Sequence, residues 1–231
     1  MAFVERADRA MLDRYRALRY AGKTLATKLT RAMPKSVLVS AARNLGLWKR
    51  GVLTAEQHEL DVLMDRAIYD EKWDGRGALD ILLESSPAVD LTKDERGYCE
   101  IMESARFSLF GVVRAVPGRE VTLIDRLAGR PETEDTPVFH VIDVEMSKSM
   151  IPGLLLATRL LDAGGFSMTS GVSFPFSPEH EPEILTYLIK RDFGSRRRRI
   201  DQPDGYSIFF HELHRRIGIP VRYAELETGL E

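Results

Sequence analysis

The chain has 231 residues, long enough to bury a substantial core, and its 44% apolar and 29% charged content is ordinary for a soluble globular protein. A single cysteine excludes an intrachain disulfide, and no apolar run reaches the ~18 residues of a membrane-spanning helix. Glu5, Arg6, Asp8 and Arg9 interrupt any signal-peptide core, so a cytoplasmic protein without a membrane partner is expected.

The net charge of −2 hides an asymmetry. Residues 1–50 hold 12 Lys and Arg against 3 Asp and Glu, whereas residues 51–105 hold 5 against 14. Two readings stay open. The two segments fold together and neutralise each other, or the basic one faces an anionic partner such as nucleic acid or a membrane surface.

Residues 5–33 read as one long helix, with Val4, Ala7, Met11, Leu18, Leu25 and Leu29 near helical spacing. Arg14, Arg16, Arg19, Lys23 and Lys28 cover much of its remainder and are the first candidate binding cluster. Ala21-Gly22-Lys23-Thr24 matches the end of a phosphate-loop motif. It lacks the earlier glycine and a preceding strand, and a helix interior cannot aim converging amides at phosphate.

Pro34 ends that helix, and Ser36 is read as the N-cap of a second one closing at Gly46. The stretch SAARNLGLW is faintly like the start of a helix-turn-helix. The next helix opens with Glu56, Glu59, Asp61 and Asp65, which would repel phosphate, so a helical hairpin is the reading taken. That next helix runs from Ala55 to Tyr69 after a capping-box start at Thr54. Asp74–Gly77 is a loop, Ala78–Glu84 a short helix, and Thr92 with Glu95 a further capping box.

From Phe107 to Phe176 short apolar runs alternate with turn residues. Pro117-Gly118, Pro152-Gly153 and Gly164-Gly165 punctuate about five strands, which predicts a small barrel-like antiparallel sheet. Leu154 to Leu161 is the buried strand of the set. The motifs SLFGVV, VPGREVTLIDRLAG, MSKSM, GLLLATRLL and GGFSMTSG, led by LTKDERGYCEIMESARF, resemble a β module of uncharacterised bacterial proteins, some of which carry the zinc-binding SEC-C motif. The resemblance covers about a third of the chain and implies a bacterial source but no activity. The SEC-C motif needs several cysteines, and only Cys99 is present, so no zinc role is implied.

Ser177-Pro178 opens a helix through Ile184, Leu185 and Leu188 to Gly194. Arg196, Arg197, Arg198 and Arg199 form a second cationic cluster in the following loop. A last helix carries Ile208, Phe209, Leu213 and Ile217. On it, His211 and His214 lie three residues apart on one face, one short of the zinc-hydrolase spacing, so neither metal nor cofactor is expected. Cys99 and Ser170 have no local base or orienting group.

The expected architecture is α+β. A helical region (1–105) precedes a small antiparallel β module (106–177), and C-terminal helices (178–231) pack back on it. The expected function is a non-enzymatic binding or adaptor protein, acting on a protein partner, a second copy of itself or nucleic acid. The alternative is a hydrolase or nucleotide-linked enzyme whose site is assembled from distant residues including His211 and His214.

Overall fold

The computed structural model describes residues 8–85, 89–128, 137–194 and 205–220. The fold is α+β: N-terminal helices, a closed five-stranded barrel, and C-terminal helices.

Helix α1 (Arg9–Ala32) starts where Asp8 accepts a 2.8 Å hydrogen bond from the Met11 amide, and stops at Met33 before Pro34. Its buried side chains, Tyr15, Leu18, Ala21, Leu25 and Leu29, recur every three or four residues. Helix α2 (Lys35–Asn44) is capped by Pro34 rather than by Ser36. Proline fixes an extended entry and cannot donate, so the helix begins one residue after it. At the other end Gly46 adopts φ +72°. The Leu47 amide donates back to the Ala42 carbonyl, and the Gly46 amide to that of Arg43. This double closure needs a residue tolerant of positive φ.

In the connection of the expected helical hairpin the chain forms a two-stranded ribbon, β1 (Trp48–Lys49) paired with β2 (Val52–Leu53). Helix α3 (Gln57–Tyr69) is capped by Glu56, not Thr54, and the Glu59 carboxylate accepts from the Glu56 amide at 2.9 Å. Short α4 (Ala78–Leu83) and α5 (Lys93–Met102) complete the helical layer. Thr92 caps α5 with Glu95 as expected.

The barrel comprises β3 (Arg106–Val116), β4 (Glu120–Asp125), β5 (Val138–Ile142), β6 (Leu155–Asp162) and β7 (Ser167–Phe176). The strand order is β3-β4-β5-β7-β6, and β6 returns to pair with β3. All pairings are antiparallel except β5 with β7, which is parallel. This is the Greek-key connectivity of OB-type barrels. Gly118 turns β3 into β4, and Gly164-Gly165 turns β6 into β7, each at positive φ. A register irregularity between Val112 and Arg114 turns Val113 out to solvent.

Alternation along the strands gives the barrel two apolar faces. Phe110, Val112, Val121, Leu123, Val141, Leu156 and Leu160 fill the interior. Phe107, Leu109, Leu155, Ala157 and Leu161 face the helices and join their core. After β7, α6 (Glu181–Gly194) follows a single 3₁₀ turn at Pro178–His180, so the proline starts that turn rather than the α-helix. Helix α7 (Tyr206–Ile217) packs Phe210 between Phe107 and Phe176, returning the C-terminal region to the barrel.

Candidate nucleic-acid interface

Between Asp13 and Glu56 the chain carries ten cations and no acid. The fold sorts these cations into two sets. Arg19 is tied down: it donates to Asp143 at 2.5 Å, to the Thr169 carbonyl at 2.7 Å and to the Tyr15 hydroxyl at 3.1 Å. Lys28 donates to Glu95 at 2.7 Å and holds that carboxyl down at about 2, helped by the Thr92 amide and the Thr24 hydroxyl. Arg14 reaches the Gly164 carbonyl and lies over the Phe166 ring. Arg16 pairs with Asp13 on the surface.

The other six are exposed, and among the described residues their side chains have no partner: Lys23, Arg31, Lys35, Arg43, Lys49 and Arg50. Their placement follows from the helical period. Opposite the buried side of α1, Arg16, Tyr20, Lys23, Thr27 and Arg31 recur at steps of three or four and form a solvent stripe roughly 22 Å long. Tyr20 stands in that stripe 73% exposed. On α2, Lys35, Ser36 and Arg43 lie opposite Val37, Ala41 and Leu45, with Lys35 and Arg43 about 12 Å apart along the axis. Lys49 and Arg50 sit at the hairpin tip.

The five α1 cations expected to act together are therefore not one surface. Arg16 and Lys23 share the stripe, Arg14 leans to the barrel's Gly164 turn, and Arg19 and Lys28 point inward to acids. Of these, Lys28 alone meets the acidic 51–105 segment, while Arg19 uses Asp143 of the barrel region. Arg196–Arg199 lie outside the described residues. Tyr20, Arg31, Lys35, Arg43, Lys49 and Arg50 were missed by reasoning from the sequence. The signal that finds them is the acid-free run itself.

In OB-type barrels the second and third strands commonly carry the oligonucleotide face. Here the corresponding side chains of Glu120, Thr122 and Ile142 are buried, and His140 bonds to Glu120 at 3.0 Å. That face is closed, whereas α1, α2 and the hairpin carry exposed cations.

The catalytic candidates do not assemble. His211 is 2% exposed, its Nε2 has no partner, and burial pushes its pKa down to about 4. Nε2 of His214 meets the Ile219 carbonyl at 2.8 Å, and the ring packs on Phe174 and Phe176. Among the described residues, no three His, Cys, Asp or Glu side chains are grouped to hold a metal. Burial raises the Cys99 thiol pKa, which favours the unreactive form. The buried Ser170 hydroxyl has no hydrogen-bond partner among the described residues. Gly22 of the rejected phosphate-loop match has a packing role: a Cβ there would stand 2.7 Å from the Tyr98 ring. A cleft of about 270 Å³ at the hairpin root is lined by Lys49 and Arg215 but also by Glu56 and Glu59.

A model described as a family of unknown function (DUF7986) matches residues 9–224. The chain belongs to that family. The match takes in α1, α2 and the hairpin as well as the barrel, so DUF7986 spans the helices and not the β module alone. No curated protein and no solved structure matches the chain.

Proposed function

We propose that this DUF7986 protein is a non-enzymatic binding protein that holds nucleic acid by its phosphates along the outer faces of α1 and α2. The observation that carries this reading is the set of six exposed cations, without a partner among the described residues, within a stretch that has no acid. Unpaired surface cations repel one another and gain most from a polyanion, whose phosphates exchange condensed counterions for them. The exposed ring of Tyr20 between Arg16 and Lys23 adds an aromatic face of the kind on which bases stack. No group of described residues supplies a nucleophile with its base, which favours binding over the hydrolase alternative.

The test is charge removal on a labelled oligonucleotide followed by fluorescence anisotropy. Lys23→Gln, Arg31→Gln, Lys35→Gln and Arg43→Gln should each weaken binding and reduce the magnitude of the salt slope by about 1. Lys72→Gln and Lys93→Gln, in the acidic segment, should change neither. Equal effects from both sets would refute the assignment of the surface. Salt-dependent binding of polyglutamate without binding of any oligonucleotide would favour an acidic protein partner instead.

A further inference from the structure

We infer that the β1–β2 hairpin is a wing that enters the major groove of duplex DNA; this rests on the phosphate-binding reading above and specifies its ligand as double-stranded. The hairpin is a tight ribbon. Trp48 pairs with Leu53 and Lys49 with Val52, and the two turn residues, Arg50 at φ +53° and Gly51 at φ +83°, both occupy the left-handed region. That is the turn whose twist matches a two-residue hairpin.

Its root is fixed and its tip is free. Leu45 and Leu47 are buried, the Thr54 amide donates to the Leu47 carbonyl at 2.9 Å, and Trp48 packs on the core. Beyond that point the ribbon adds little to the core. Val52 is 62% and Leu53 39% exposed, and the Lys49 and Arg50 side chains reach no partner among the described residues. An arginine is also held at a backbone conformation that L side chains disfavour, where Asn or Gly would sit more easily.

The chemistry of this tip fits one kind of surface. A two-stranded ribbon has the width that the B-form major groove admits, at about 12 Å. Arginine and lysine pair with the guanine O6 and N7 acceptors displayed there, and small apolar side chains meet thymine methyl groups. Lys49 and Arg50 supply the first function, and Val52, which shares the Lys49 face, the second. The major groove of A-form RNA is too deep and narrow for such a reader. Helix α2 leads directly into the hairpin, so Lys35 and Arg43 are available for the flanking phosphates.

The experiment compares a DNA duplex, an RNA duplex of the same sequence and the single DNA strand, each labelled, against wild type and the double variant Lys49→Gln/Arg50→Asn. Asparagine before glycine keeps the turn favourable, and the melting temperature of the variant reports that the fold is intact. The expected result is a loss of about 10-fold or more on the DNA duplex, with affinity for single-stranded DNA and duplex RNA changed by no more than about 2-fold. A loss of the same size on all three ligands, or none on any, would overturn the wing while leaving phosphate binding in place. Wild type failing to bind every ligand at low salt would overturn both.

Discussion

Arg159 of β6 donates a 2.6 Å hydrogen bond to Asp70 at the end of α3, and the two side chains are 3% and 1% exposed. The same guanidinium reaches Asp65 at 3.3 Å and lies over the rings of Tyr69 and Phe107. The second oxygen of Asp70 accepts from the Ser207 hydroxyl of α7 at 2.5 Å. Beside it, Arg66 pairs with Glu71, which also accepts from Ser40 and Asn44 of the α2 helix. One buried polar network therefore joins α2, α3, α7 and the barrel.

Breaking that network from one side should be costly. Arg159→Met strands Asp65 and Asp70 in a site where burial already raises the Asp70 pKa. The expected loss is about 3–5 kcal/mol by urea denaturation. Pairing it with Asp70→Leu should return part of the loss, because the uncompensated charge is gone. A loss below ~1 kcal/mol for Arg159→Met alone would mean the network does not hold the barrel to the helices.

Gly22→Ala is expected to destabilise even though alanine is the better helix former by about 1 kcal/mol. The new methyl would meet the buried Tyr98 ring at 2.7 Å. The ring cannot swing away freely, so a net loss of about 1–3 kcal/mol is expected. Trimming the ring with Tyr98→Leu should make Gly22→Ala neutral or favourable in the double variant. Thermal melting of the four proteins checks this. Additive effects would contradict the contact.

Acid should weaken the fold through His211. Its folded pKa, about 4, lies below the unfolded value because burial disfavours the charged ring; Arg215, His214 and His58 push the same way, and Glu59 opposes them. A depressed histidine pKa means the folded state binds fewer protons. Its contribution is therefore complete above about pH 6.5 and is lost as pH falls toward 4, by on the order of 3 kcal/mol. Glu95, held at about 2, adds a second loss at lower pH, between its ordinary carboxylate value and 2. His211→Gln should flatten the melting temperature between pH 6.5 and 4.5 relative to wild type. An unchanged pH profile in that variant would contradict the assignment.

The barrel was legible because its signals are local. Pro117-Gly118 and Gly164-Gly165 mark turns whose geometry demands glycine, and the alternation of Val121, Leu123, Val141 and Phe139 marks an inner face. The β1–β2 hairpin was not legible. Two-residue strands show no alternation, and Arg50 adopts a positive φ that its residue type does not announce. The fate of Arg19 was hidden for a different reason: its acid, Asp143, lies 124 positions away in sequence. Charge counting over 1–50 could not separate it from Lys23, which faces solvent on the same helix. Helical phase separates them, since Arg19 follows the buried Leu18 and Lys23 falls in line with Tyr20 and Thr27.

The most direct measurement is the affinity of wild-type protein for a labelled DNA duplex as a function of salt, from roughly 50 to 200 mM. If Lys23, Arg31, Lys35 and Arg43 of α1 and α2 contact phosphate, log K should fall linearly with log salt, with a slope of about −3 to −4. No binding at the lowest salt, or a slope near zero, would contradict the account.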